Sequence, residues 1–361
     1  MALYIGLMSG TSMDGIDAAL VDMPSNKLIH GLTVPYHAKV RELLGDLVFE
    51  QQSTVSRWRQ LDTLIGREFA NAVQLLLKES GYCAEQITAI GSHGQTISHD
   101  ADADIPYTLQ LGCPHTIAAL TNIDVVADFR TRDLVNGGQG APFAPLYHQK
   151  VFKKGQESMA VVNIGGIANV TLLIPGEPTR GWDVGPGNCL LDEWINKIKN
   201  TSYDKNGEWA AQGSVLPLLL EQLLADPFFQ QPEPKSIGKE YFSLSWLEPH
   251  LLPDYQAVDV QATLLALTAI TIAQSIESRH LKQLYVCGGG VHNNRLLEYL
   301  ADKLPQLQLK SVMDLGVNPD FLEAMMFAWL ASQTIQHKPV DLTCITGANK
   351  PSILGAIYLA H

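Results

Sequence analysis

The chain has 361 residues, of which 46 % are hydrophobic and 17 % charged, a composition that builds a large core and excludes a disordered chain. At that length two lobes are expected. The net charge of −12 argues against nucleic acid or an anionic membrane as partner, and leaves room for a phosphorylated ligand in a local pocket. Cys83, Cys113, Cys189, Cys287 and Cys344 are scattered and form no CxxC pair, which fits reduced thiols in a cytoplasmic protein better than disulfides or zinc. The first residues carry no basic n-region, so no signal peptide is expected. The apolar stretch ATLLALTAITIA is short for a bilayer span and holds three threonines, so a cytoplasmic location is expected.

In chain order, residues 2–8 and 16–22 read as strands around the loop in GLMSGTSMDGID. A helical stretch from Val40 to Ser80 follows, with Leu61, Leu64, Ile65, Phe69, Val73, Leu76 and Leu77 at helical spacing and Gly81 as its stop. A short strand, Gln86–Ile90, leads into GSHGQTISH as a loop, and the strand Ile123–Ala127 leads into DFRTRD. The Gly- and Pro-rich NGGQGAPFAP then marks a lobe boundary, with an N-terminal lobe over residues 1–130 and a C-terminal lobe over 131–344. MAVVNIGGIANVTLLI repeats the opening pattern of strand, glycine turn and strand nearly half a chain later, which predicts a duplication. GWDVGPGNCLLDEWI is a strand or turn leading into a helix starting near Asn188, residues 204–254 are irregular helices and loops, and residues 259–279 form a long buried helix. QLYVCGGGVHNNRLLEYLADKL reads as strand, triple-glycine turn and helix. FLEAMMFAWLASQTI reads as a helix, and ILGAIYLA as a last helix, over 345–361, that packs back on the first lobe.

Four apolar strands thus end in glycine turns. Such a turn lets backbone N–H groups crowd around an anion, and a following helix adds its dipole. No GxxxxGK[ST] and no HRD…DFG set occurs, which excludes a P-loop nucleotidase and a protein kinase. GGGVHNN lacks the third glycine of a dinucleotide fingerprint. Asp183, in WDVGPG, is either a general base or a turn aspartate. Asp14 and Asp17 could orient metal-bound water, or serve plain hairpin chemistry. His93, Gln95 and His99 have the wrong spacing for zinc and suit sugar hydroxyls or a solvated loop. Arg130 could clamp a carboxylate or make a surface ion pair. Glu323, in an otherwise apolar helix, caps that helix or points into a cleft.

MSGTSMDGID, SHGQTISH, DFRTRDLVNGGQGAP, NIGGIANVT, WDVGPGNCLLDEW, CGGGVHNN and TGANKPSILGA, collinear over nearly the whole chain, resemble the anhydro-N-acetylmuramic acid kinase family. The resemblance implies an α/β, two-lobed, duplicated fold of the sugar kinase, heat-shock ATPase and actin superfamily, with ATP in the interlobe cleft. It also implies a cytoplasmic enzyme of cell-wall recycling that uses ATP and Mg2+ to open 1,6-anhydro-N-acetylmuramic acid with water and phosphorylate O6. By the same carry-over Asp183 is the base. Gly10, Thr11, Ser12, Met13, Asp14, Gly15, Ile16 and Asp17 hold ATP phosphates together with Gly165 and Gly166. Gly288, Gly289, Gly290 and Asn293 lie on the adenosine side. His93, Gln95, Arg130 and Glu323 are the substrate-side residues, Asp14 and Asp17 the metal candidates, and a second copy of the chain a plausible partner. Two departures stand out. Ile237 and Lys239 in PKSIGKEYF replace a hydroxyl and an arginine, and lysine loses the planar fork. Met8-Ser9 stands where the superfamily carries an aspartate, so metal placement falls to Asp14, Asp17 or waters. A nucleotide-driven switch and a kinase of an ordinary sugar are the competing readings.

Overall fold

In a computed structural model, which describes residues 2–10, 13, 15–50, 54–153, 157–238 and 241–361, the apolar run LYIGLMS forms β1 (Leu3–Ser9), buried along its length. β2 (Ile16–Asp22) and β3 (Lys27–Val34) complete an antiparallel meander. Helices α1 (Ala38–Glu50) and α2 (Val55–Ser80) follow. The chain then forms β4 (Ile87–Asp100), β5 (Tyr107–Leu111), α3 (Pro114–Thr121), β6 (Val125–Ala127) and α4 (Thr131–Val135). Leu3, Ile5 and Leu7 share one face of β1 and join Leu61, Ile65, Phe69, Val73 and Leu76 of α2 in a single apolar core, the period of two meeting the helical period.

The next segment forms α5 (Ala144–Phe152), β7 (Met159–Ile164), β8 (Ile167–Leu173), β9 (Arg180–Pro186) and α6 (Cys189–Lys199). It continues through α7 (Pro217–Leu224), α8 (Leu244–Leu247), α9 (Ala257–Ile276), β10 (Gln283–Cys287), α10 (Asn294–Lys303) and β11 (Gln308–Ser311). The apolar stretch read as too short for a bilayer belongs to the 20-residue α9, which has the length and composition to cross a membrane but has 72 % of its apolar window buried. Leu264, Leu265, Leu267 and Ile272 of α9 pack with Val162, Val170, Trp182 and Val184 in the core of this segment. The chain ends with α11 (Leu322–Ile335) and β12 (Ala356–Tyr358).

Two compact units result, Met1–Ala141 with Phe321–His361 and Pro142–Asp320. Among the described residues, each holds one sheet. The first runs β12-β6-β4-β1-β2-β3 with β5 paired to β4, and the second β11-β10-β7-β8-β9. In both, an antiparallel meander of three strands continues from its first strand into two parallel ones. The predicted duplication is therefore present as topology: β3-β2-β1-β4-β6 corresponds to β9-β8-β7-β10-β11.

Four local expectations change. The helix read from Val40 to Ser80 is two helices: Thr54 caps α2 by accepting from Arg57 N, and Gly81 at φ 75° closes it. GSHGQTISH is strand rather than loop, because pairing with β1 and then β5 carries β4 through its glycines. The closing helix over 345–361 is instead β12, antiparallel to β6; a short apolar run has no period to distinguish the two. The boundaries at 130 and 345 both fall inside the first unit, and the division lies within NGGQGAPFAP at Ala141 and between Asp320 and Phe321. Asp133 explains the first shift. Its buried carboxylate accepts from Gly140 N (2.7 Å) and Thr346 Oγ1 (2.9 Å), tying the glycine loop to the TGAN segment. The second follows from α11, whose backbone presses on β1 and β4: a Cβ at Gly6 would lie 1.7 Å from Ala324 O, and one at Gly91 2.0 Å from Phe327 O.

Candidate active site

In the first unit the turn after β1 is tight. Met13 N donates to Gly10 O at 3.1 Å, and Met13 itself has φ 56°. Thr11, Ser12 and Asp14, expected on ATP and metal, lie outside the described residues, as does Lys239. Gly15 leaves no room for a side chain, since a Cβ would sit 2.8 Å from Val34 O, and Ile16 is buried in the core. Asp17 stands opposite Met8 and Thr33 in the sheet and accepts from Thr33 Oγ1 at 2.6 Å.

Gln95 sits behind this turn. Its Nε2 donates to Gly10 O and Thr96 O, both at 3.2 Å, while Oε1 lies 2.8 Å from Ser9 Oγ and 3.3 Å from Tyr36 OH. Both ends of the amide are thus engaged within the protein, and Gln95 braces the turn from β4. His93 is 5 % exposed. Its Nδ1 lies 2.9 Å from Gly94 O, and its Nε2 accepts from Arg130 Nε at 3.0 Å. That pairing requires the neutral ring with the proton on Nδ1, and burial, then the Arg130 charge, hold its pKa well below the usual range. His99 is likewise pushed down to about 4, by burial first and Arg130 second. Arg130 Nη1 donates to Gly140 O at 2.8 Å, so the guanidinium is held at both Nε and Nη1. Glu323 is half-buried in the first turn of α11, where a carboxylate suits the helix dipole; Phe321, not Glu323, holds the cap position.

The second unit gathers three of the glycine turns. Gly187 N and Cys189 N donate to Gly166 O, and Asn188 N to Gly165 O, at 2.8 to 3.1 Å. Asn188 Nδ2 also reaches Ile164 O at 3.1 Å. The start of α6 is thereby braced on the β7–β8 turn. The CGGG turn closes on the same strand end: a Cβ at Gly288, whose φ is 75°, would meet Asn163 Oδ1 at 2.3 Å, and one at Gly290 the Ile164 side chain at 2.4 Å. Gly289 stands against Asn188 Nδ2. Asn293 caps α10, its Oδ1 accepting from Leu296 N at 3.0 Å.

Asp183 lies on β9, 5 % exposed. Its Oδ2 accepts from Ser236 Oγ and from Ile237 N, both at 3.0 Å, and its backbone N donates to Lys235 O at 2.9 Å. The buried Lys235 anchors that segment through Phe228 O (2.9 Å) and Phe229 O (3.3 Å). Its own pKa is lowered by burial, against the pull of Glu233 and Asp183. Ile237, one of the departures from the family segment, serves Asp183 through its backbone N–H, a contact its side chain does not alter. Cross-strand register places Asn163 opposite Asn169 and Asn169 opposite Asp183, a polar row across β7, β8 and β9. The sequence reading missed Asn163, Asn169, Lys235 and Ser236. The symmetry of NIGGIAN, with an asparagine at each end of a glycine hairpin, was the available signal for the first two.

Among the described residues no three His, Cys, Asp or Glu side chains cluster as a metal site. Of the two metal candidates only Asp17 lies among the described residues, and Mg2+ commonly takes one or two carboxylates with phosphate oxygens and waters. A single carboxylate of this kind would suit an ion held largely by phosphate oxygens and waters.

The profile of the family described as Anhydro-N-acetylmuramic acid kinase matches residues 2–360. Curated relatives named anhydro-N-acetylmuramic acid kinase, from Legionella pneumophila strains Corby and Philadelphia 1, are each 64 % identical over 360 residues, covering 99 % of this chain and 98 % of the relative. Among solved structures, the activator of the 2-hydroxyisocaproyl-CoA dehydratase from Clostridium difficile with bound ADPNP aligns over 92 % of this chain and 97 % of its own, at 11 % identity and a TM-score of 0.48. That distance is too great to bear on function. The full-length match at high identity is decisive: the chain belongs to the anhydro-N-acetylmuramic acid kinase family.

Proposed function

We propose that the chain opens 1,6-anhydro-N-acetylmuramic acid with water and phosphorylates O6 from ATP, giving N-acetylmuramic acid 6-phosphate and ADP in cytoplasmic peptidoglycan recycling. Family membership supports the substrate and the kinase activity. The observation that carries the mechanism is the buried Asp183 carboxylate, held at Oδ2 by Ser236 and Ile237. Asp183 takes one proton from a water whose oxygen bonds to C1. The C1–O6 bond breaks with its electron pair left on O6. O6 then attacks the γ-phosphorus of ATP, and the bond to the bridging oxygen breaks to release ADP. Most of the rest is positioning and charge neutralisation.

In the first unit we assign ATP phosphates to the turn from Gly10 to Asp17, and sugar contacts to Arg130, His93 and Glu323. Gln95 supports the turn rather than the sugar. In the second unit Gly165 and Gly166 serve phosphate, and Gly288 to Gly290 the adenosine side, with Asn293 fixing α10. Mg2+, when bound, neutralises phosphoryl charge, and Asp17 would reach it directly or through water. The net charge of −12 supports small anionic ligands held locally over nucleic acid or membrane, and a second copy of the chain is the macromolecular partner we propose.

The test is ADP release with the anhydro sugar against N-acetylmuramic acid and an ordinary hexose. Turnover confined to the anhydro sugar is expected. Equal turnover of the open sugars would favour a plain sugar kinase.

A further inference from the structure

Asn169 is 8 % exposed, and its Oδ1 is buried with no hydrogen-bond partner. Buried amide oxygens are nearly always satisfied, because an unmade hydrogen bond leaves the desolvation cost uncompensated. The atom is not in an arbitrary place. Asn169 faces Asp183 directly across β8 and β9, where the register skips Val184. Such a bulge re-aims neighbouring side chains, and directly opposed residues share a face. The neighbours confirm the face: Val170 and Val184 point into the apolar core, so Asn169 and Asp183 point away from it. Two hydrogen-bond acceptors, an amide oxygen and a carboxylate, therefore stand side by side. A sugar hydroxyl or an amide N–H offers one proton; water offers two.

We infer that Asn169 is a positioning residue for the attacking water. It accepts the O–H that Asp183 does not take, so that the oxygen lone pair is turned to C1. The atoms balance: one water proton goes to Asp183, the oxygen bonds to C1 as C1–O6 breaks, and the second proton stays on the new C1 hydroxyl, still donated to Asn169 Oδ1. This rests on the assignment of Asp183 as base.

The experiment compares Asn169→Leu and Asn169→Asp with the parent enzyme by kcat, KM for each substrate, thermal melting and pH profile. Asn169→Leu removes the acceptor and should lower kcat by about 10- to 100-fold, the scale of a misplaced reacting group. KM should stay unchanged and the melting temperature should not fall, since an unsatisfied buried oxygen is lost. Asn169→Asp keeps an acceptor but sets a second carboxylate beside Asp183, making Asp183 harder to ionise. Activity should survive at high pH, with the acid limb moved upward. Parental kcat in Asn169→Leu, or a raised sugar KM at parental kcat, overturns the inference. Should Asn169→Leu fail to fold, Asn169→Asp decides, and an unmoved acid limb overturns it. Asp183→Asn separates the two readings. If it retains turnover, the base assignment falls; if it loses turnover while Asn169→Leu does not, only the role of Asn169 falls.

Discussion

The two sheets share a frame and differ in one row of side chains. In the first unit the register across β1, β2 and β3 is Met8, Asp17, Thr33, and the one carboxylate is already met by the threonine hydroxyl. In the second the corresponding row is Asn163, Asn169, Asp183, with the carboxylate on the outer strand, two donors behind it and an unsatisfied amide oxygen beside it. The same strand order occurs twice, and the proposed base lies in only one copy of the row, while the other copy carries the proposed metal candidate Asp17. Both units also seat a helix closely on the sheet through glycine: α11 over Gly6 and Gly91, and the start of α5 over Gly181, where a Cβ would lie 2.1 Å from Pro145 Cγ.

The largest expected effect breaks the comparison at its functional end. Asp183→Asn should lower kcat by about 10²- to 10⁴-fold, the usual contribution of a general base, with nucleotide binding by calorimetry intact; near-parental turnover refutes its role. Asp17→Asn, in the equivalent row, should act on the apparent affinity for ATP and Mg2+.

Next come the glycine contacts. Gly6→Ala drives a Cβ into a helix carbonyl that cannot move without α11, so it should exceed the ~1–3 kcal/mol typical of overpacking. Gly181→Ala meets a proline ring and Val170 O and should cost less. Urea unfolding orders the two, and the reverse order would contradict the packing account.

Ser236→Ala removes one of two donors to Asp183 Oδ2. It should move the acid limb of the kcat profile to higher pH while sparing the plateau. An unchanged profile would mean that the backbone donor at Ile237 suffices.

The smallest effect treats the units alike. Each holds a neutral histidine drawn out of water, the half-buried His99 pushed down to about 4 and the buried His148 to about 3, burial being the leading cause in both. Above their ordinary value of 6.5 neither affects stability. As pH falls below it the unfolded chain takes up protons that the folded one resists, so stability should decline down to about 4 and about 3 respectively. Melting curves between neutral and acid pH follow this, and His148→Gln should flatten the decline.

Much of this frame was readable in the residues. The glycine hairpins at Gly10 and Gly166 announced the duplication, and WDVGPG marked Asp183. What stayed hidden depends on contacts distant in sequence. GSHGQTISH reads as a loop by its glycines, and only pairing with β1 and β5 makes it strand and puts Gln95 behind the turn. ILGAIYLA carries no local sign that β6 offers it an edge. Ser236 and Ile237 lie far along the chain from the carboxylate they hold, and the Asn169–Asp183 pairing depends on a bulge at Val184 that no spacing predicts.

The central claim is that water opens the C1–O6 bond while ATP phosphorylates the freed oxygen. Turnover of the anhydro sugar with ATP in ¹⁸O-water, followed by mass spectrometry, tests it directly. The account predicts one ¹⁸O at the C1 hydroxyl of a 6-phosphorylated sugar and none in the transferred phosphoryl group. Label in the phosphate, or ADP released while the anhydro ring stays closed, would contradict it.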